Sequence, residues 1–208
     1  MAGLFISLEG IDGSGKSTQL ALLEQRLRTE GIPFLVNREP GGVAIGQQIR
    51  KILLDPENKA LSPVTELLLY FANRAQNIDE QVRPALERGE LVVSDRFTDS
   101  TLAYQGAARD LGADTVKALH AIACRGTEPA LTLYIRVTPE ISRARRAGQA
   151  NDRLEAETTA FHQRVFETYE RLAQEEPRRI VTVDGDRPEE VVAAQVWSIV
   201  SERWKARA

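Results

Sequence analysis

The sequence has one cysteine, Cys124, in 208 residues, which rules out an intramolecular disulfide. It has no strong excess of either charge: 27 basic and 30 acidic side chains leave a formal net charge of -3, so a generally cationic surface of the kind that holds duplex nucleic acid is not indicated. The opening residues MAGLFISLEG lack the basic start and the apolar length of a secretory signal. No stretch approaches the roughly 20 apolar residues of a membrane helix. Internal repeats, low-complexity tracts and a dividing linker are also missing. Together these absences predict one soluble cytoplasmic domain without a membrane or nucleic-acid partner, and an apolar content of 42% suffices for a single sizeable core.

What is present is an alternation. Five β-rich runs, Leu4 to Leu8, Phe34 to Asn37, Leu91 to Ser94, Leu131 to Val137 and Ile180 to Val183, are separated by longer helical patterns, which predicts an α/β domain with a parallel sheet. Helices are expected at about Lys16 to Glu30, Ala44 to Leu54, Val64 to Arg88, Ser100 to Ala107, Thr115 to Arg125, Pro139 to Ala147, Glu155 to Gln174 and Pro188 to Ala206. Gly31 and Gly89 suit helix ends, and Asp114 and Thr138 suit caps, the latter before Pro139. Pro84 predicts a break or kink in the third helix. In such sheets ligands gather at the carboxyl ends of the strands, where this chain places GIDGSGKS, REPGG, DRF and DGDRP.

Gly10 to Ser17 fits G-x-x-x-x-G-K-S/T between a strand and a helix, the context that motif requires. Gly10, Gly13 and Gly15 let successive N–H groups turn inward, and the following helix N-terminus adds partial positive charge. Gly10, Ile11, Asp12, Gly13, Ser14, Gly15, Lys16, Ser17 and Thr18 are therefore the expected cradle for a nucleotide's phosphates. Lys16 would bridge the β- and γ-phosphates and the Ser17 hydroxyl would ligate Mg²⁺. The guanine-reading N-K-x-D is absent, since the only Asn-Lys pair, Asn58-Lys59, runs on into Ala60-Leu61. Arginines after separate strands suit a second anion, so transfer between two phosphorylated partners is the better inference than hydrolysis.

Arg38 can fork onto a phosphate or sit at the surface beside a proline turn. Asp95 can meet Mg²⁺ or its water shell and Arg96 the transferring group, or the two can form a structural ion pair. Ser100 with Tyr104, and Thr101 with Gln105, are four apart and share adjoining faces of a short helix. Phe71 and Arg74, three apart, read equally as a ring and donor for a flat base or, for Phe71, as core. A donor-only arginine suits a carbonyl and disfavours an amino group, a mismatch that costs about 1 to 3 kcal/mol when buried. No general base stands out. A phosphate acceptor is already largely a nucleophilic oxyanion at neutral pH, whereas a nucleoside acceptor would need a carboxylate such as Glu39 to take a proton. His120 and His162 fall in expected helices and read as packing or surface residues.

EGIDGSGKST, REPGG, DRF, DSTLAYQG and NDRLE together resemble the thymidylate kinase family, in its order and over essentially the whole chain. The resemblance implies a P-loop kinase fold with strand order 2-3-1-4-5, a lid at about residues 143–153, ATP and dTMP as substrates, and a homodimer packed through helices. It implies that Arg38 binds the dTMP phosphate, that Phe71 stacks on thymine, and that Arg74 meets the base O4. Ser100, Thr101 and Gln105 would lie along the acceptor, with Tyr104 at the sugar and Asp12 near the 3′-hydroxyl or the arginine network. Because Gly13 stands where one family pattern carries an arginine, the basic lid matches the bacterial pattern: Arg153 is expected at the transferring group, beside Lys16 and Arg96. Arg145 and Arg146 can serve likewise or form a solvated helix face. Arg143 and the Asp184 to Pro188 turn, including Asp186, would border adenine, unless that segment is only a capped turn. Another nucleoside or nucleotide kinase, or a non-catalytic nucleotide-operated module, remains the alternative.

Overall fold

The computed structural model describes residues 3–148 and 152–207. Strands β1 (Leu4–Glu9), β2 (Phe34–Arg38), β3 (Leu91–Asp95), β4 (Leu131–Arg136) and β5 (Ile180–Asp184) form one parallel sheet in the order β2-β3-β1-β4-β5, as expected. The central strands are almost wholly buried, because helices cover both faces of a parallel sheet and leave neither to water. On one face, Leu4, Ile6 and Leu8 pack with Leu20 and Leu23 of α1 (Lys16–Thr29) and with Val192, Val196 and Val200 of α9 (Glu189–Lys205). On the other, Phe5 and Val92 meet Leu67 and Phe71 of α3 (Pro63–Asn77) and Val116 of α6 (Ala113–Cys124). Tyr134 and Ile180 meet Val165 and Tyr169 of α8 (Thr159–Glu175).

Four strands run further at their carboxyl ends than the apolar pattern predicts, taking in Glu9, Arg38, Asp95 and Asp184. The ladder bonds backbone atoms and is indifferent to side-chain polarity, so the polar residues of the site are strand residues held in register, Arg38 opposite Asp95 and Arg136 opposite Asp184. Ser62 caps α3 before Pro63, and Thr138 caps α7 (Pro139–Arg146) before Pro139. Asp114 lies inside the first turn of α6, whose cap is Gly112.

Two expected α-helices contain π-helical stretches. α3 continues through Ile78–Val82 into α4 (Arg83–Glu87), so Pro84 does not break the helix: the wider winding ahead of it takes in Glu80, the residue whose carbonyl a proline at this position leaves without an α-helical donor. The DSTLAYQG segment is one α-turn, α5 (Thr98–Thr101), followed by π winding from Leu102 to Ala108. α2 (Ala44–Leu54) closes the rim opposite α7. Of the expected lid, residues 149–151, including Asn151 of NDRLE, lie outside the described residues.

Candidate active site

A cavity of about 550 Å³ opens at the carboxyl ends of the strands, within the size of small-molecule sites. Its floor is the β1–α1 loop. Gly10 has φ 144°, and a Cβ there would lie 2.5 Å from the Ile135 carbonyl oxygen, so no other residue fits. Lys16 folds back over the loop and donates to the carbonyls of Gly10 and Ile11, both at 2.9 Å, and to Ser14 Oγ at 3.4 Å. Burial, reinforced by nearby Arg96, lowers the Lys16 ammonium to about 8. Ser17 and Thr18 are exposed on the cavity wall.

Arg96 joins the loop to the opposite wall. Its backbone is left-handed, φ 68°, a conformation that non-glycine residues hold only when their surroundings enforce it. Here the Arg96 N–H donates to Leu8 O at 3.0 Å, while the guanidinium donates to Gly10 O at 3.0 Å and Ser100 Oγ at 3.1 Å and pairs with Asp12. Tyr104 donates from its hydroxyl to Asp12 at 2.9 Å. Burial alone would raise the Asp12 carboxyl, but Arg96, Lys16, the Tyr104 hydroxyl and Arg146 hold it well below the usual carboxylate range. Beneath this pair, Glu9 accepts from Phe97 N–H, Ser100 Oγ and Tyr169 OH. Burial and the neighbouring Asp99 carboxylate raise the Glu9 carboxyl.

The far wall is a face of α3. Glu66, Tyr70 and Arg74 recur every four residues; Tyr70 and Arg74 line the cavity and Glu66 is buried behind Gln105. Arg74, only 1% exposed, donates to Glu39 at 2.7 Å, Thr98 Oγ1 at 3.3 Å and Thr101 Oγ1 at 3.0 Å. Phe71 does not line this wall: it is one residue out of phase, in the core with Leu67 and Ile78, beneath the Arg74 guanidinium. The aromatic ring that α3 brings to the cavity is Tyr70, four residues before Arg74 and thus on its face. Ser100, Thr101, Tyr104 and Gln105 all reach the cavity, brought together by the turn from α to π winding. Glu39 is buried against Arg74; desolvation raises its carboxyl against the opposing pull of that arginine.

The basic segment divides. Arg146 lies over the loop, with its Cγ 3.1 Å and Cδ 3.2 Å from where a Cβ on Gly13 would sit, and pairs with Glu155 at 3.2 Å. Ser142 of the same helix donates to Asp12 O at 2.6 Å. Arg145 donates to Gly185 O and faces Asp186 at 3.6 Å, whereas Arg143 is exposed beside Glu140. Arg153 is not brought to the loop. It donates to Leu53 O at 2.7 Å, among the last carbonyls of α2, and pairs with Glu66 at 2.6 Å, because a helix C-terminus and a buried carboxylate together attract a cation strongly. Arg38 also stands off the cavity, 54% exposed, 3.8 Å from Asp95 and 3.9 Å from Glu24. Asp95 itself is on the wall.

Sequence reasoning did not pick out Glu9, Glu66, Tyr70 or Arg109. Glu66 collects Gln105 Nε2 at 2.8 Å, Arg109 Nη2 at 3.2 Å and Arg153, tying three segments together. The spacing of Glu66, Tyr70 and Arg74 beside the apolar Leu67, Phe71 and Ile78 was the signal for this face.

A model of the thymidylate kinase family matches residues 8–196. The chain is 48% identical over 205 residues to a thymidylate kinase of Caldanaerobacter subterraneus, covering 99% of this chain and 98% of that one. It is 47% identical over 203 residues to a thymidylate kinase of Deinococcus radiodurans, with 97% and 98% covered. A thymidylate kinase of Symbiobacterium thermophilum is 44% identical, with 96% and 93% covered. With its phosphate loop, strand order and opposed arginine wall, the chain belongs to the thymidylate kinase family.

Proposed function

We propose that this protein transfers the γ-phosphoryl group of ATP to dTMP, giving dTDP for dTTP synthesis. One observation carries the reading beyond family membership: Lys16 of the phosphate loop and the Tyr70–Arg74 face line a single cavity, bridged by the Arg96–Asp12 pair. Loop N–H groups and Lys16 hold the ATP phosphates. Tyr70 stacks on the acceptor base, Arg74 donates to its O4, and Thr101 and Gln105 lie at its edge. Tyr104 and Asp12 face the sugar, Ser100 supports Arg96, and Arg38 turns from Asp95 to the acceptor phosphate.

Among the described residues no cluster of His, Cys, Asp and Glu would hold a metal ion alone. A hydroxyl and one carboxylate, Ser17 and Asp95, are on the wall, which fits Mg²⁺ shared with nucleotide phosphates and water. When bound, Mg²⁺ neutralises phosphate charge. The chain's own contribution is placement and charge: Lys16, Arg96 and Arg146 surround the site of transfer, and the acceptor dianion needs no base. Arg153 serves the acceptor wall through Glu66 and reaches a phosphate only if that pair opens. Arg145 and Asp186, with Arg143, border the adenine. Glu39, held by Arg74, is poorly placed to deprotonate a nucleoside hydroxyl, which argues against a nucleoside kinase.

Exposed Val64 and Leu68 of α3 and Ile122 of α6 favour a homodimer through these two helices. No described helix is long and apolar enough to cross a membrane; a cytoplasmic location completes the reading. ADP release measured with dTMP, dUMP, dCMP and thymidine tests it. Turnover is expected to be highest with dTMP and negligible with thymidine; turnover with thymidine alone, or with none of the four, overturns it.

A further inference from the structure

Behind the acceptor wall lies a second cavity of about 220 Å³, separated from the first by the Phe97–Asp99 stretch and lined in part by His120 of α6. The histidine touches two residues that themselves hold Arg74. Its Nδ1 is 2.7 Å from Thr98 Oγ1, which accepts from Arg74 Nη1 at 3.3 Å. Its ring meets Phe97 edge to face at 6.2 Å, and the Phe97 ring carries the Arg74 guanidinium at 4.7 Å. Donor logic sets the direction of the chain. His120 Nε2 lies 3.1 Å from the Glu128 carboxylate, which only accepts, so Nε2 bears the proton. In the neutral ring Nδ1 then accepts, and the Thr98 hydroxyl donates to it. Cys124 Sγ, 3.3 Å from Nδ1, is a second, weak donor to the same lone pair. The Thr98 oxygen is thereby left with its lone pairs towards Arg74, a group that can only donate.

We propose that His120 is a positioning residue for acceptor recognition: it orients the Thr98 hydroxyl, and with Phe97 fixes the rotamer in which Arg74 presents its remaining N–H groups to the base. The proposal rests on the reading of Arg74 as the base-recognising residue. Among the described residues Arg74 is otherwise held by Glu39, Thr101 and the Phe71 ring beneath it.

Three variants test it by steady-state kinetics. His120→Phe keeps a ring against Phe97 but removes the acceptor. It should raise the KM for dTMP about fivefold, the net worth of one hydrogen bond, and lower the preference for dTMP over dCMP by a similar factor, with the KM for ATP unchanged. His120→Asn places an amide oxygen near the Nδ1 position and should restore most of the loss. In a Thr98→Val background His120→Phe should add nothing, since the shared link is already gone. A wild-type KM for dTMP in His120→Phe overturns the proposal, as does equal impairment in His120→Asn or a parallel rise in the KM for ATP, which marks a purely structural role. Arg74→Gln separates this failure from failure of the site reading. If it impairs dTMP use while His120→Phe is silent, only the role of His120 falls; if it leaves dTMP use intact, the assignment of the acceptor wall falls with it.

Discussion

The two sides of the cavity are built in opposite ways. On the proposed reading the donor side is a single turn of chain, Gly10 to Thr18, which offers backbone N–H groups and one buried cation, Lys16, the first residue of α1. The proposed acceptor side draws Glu39, Tyr70, Arg74, Arg96, Thr101 and Gln105 from four separate segments. Polyphosphate is recognised by geometry that one loop can hold, whereas a base needs donors, acceptors and a flat face from several directions. Damage should therefore be all-or-none on the first side and graded on the second.

The largest effect tests the compact side. Lys16→Met should lower kcat about 10²- to 10³-fold, the scale on which removing one charge-stabilising donor acts, with the circular dichroism spectrum retained. A kcat within an order of magnitude of wild type would mean that the loop does not hold the transferring group through this residue.

A contrast between adjacent rings tests the assembled side. Tyr70→Ala should raise the KM for dTMP roughly 5- to 150-fold, as lost base stacking of about 1 to 3 kcal/mol requires, with little change in stability. Phe71→Ala should do the reverse, destabilising the fold by about 3 to 5 kcal/mol through a core cavity, with a smaller rise in the KM for dTMP than Tyr70→Ala. Denaturant melts and substrate titrations of the two variants would reverse the assignment of the rings if the effects were exchanged.

The smallest effect is a proton. Lys16, lowered to about 8 by burial, is mostly neutral at a pH of about 8.5 and charged below about 7. Polyphosphate restores its charge, so ATP binding should take up a fraction of a proton at the higher pH and almost none at the lower. Calorimetry in buffers of different ionisation enthalpy reads this directly; equal uptake at both pH values would place the titration elsewhere. The stability sign is the same. The folded state binds fewer protons than the unfolded state between about pH 8 and 10.5, so this residue makes stability rise with pH across that window.

The strands and the phosphate loop were legible because their signals are local: apolar runs give strands, and three glycines with a lysine give the cradle, whereas the strand order came only from the family resemblance. The α3 face was legible in principle, yet Phe71 drew the reading because an aromatic next to Arg74 fits either side of a helix until the phase is counted from Glu66. Arg153 was harder still. Its neighbour Asp152 and the family order point to a phosphate, and nothing nearby in sequence announces that Glu66 and the end of α2 hold it instead. Such long-range carboxylate–arginine pairings have no local pattern, and the same holds for Glu9 beneath Arg96. The π winding from Leu102 to Ala108 was invisible too, since the residues it displaces keep a helical spacing.

Gly13 sits at φ 75° with the Ser142 carbonyl oxygen 2.9 Å and the Arg146 stem 3.1 Å from where a side chain would begin. The space above that residue is already occupied by the overhanging helix. A chain of this shape therefore has one berth for a cation over the donor phosphates, and filling it from below would evict the occupant from above. An arginine at position 13 of this chain would have to push back the helix that now covers it.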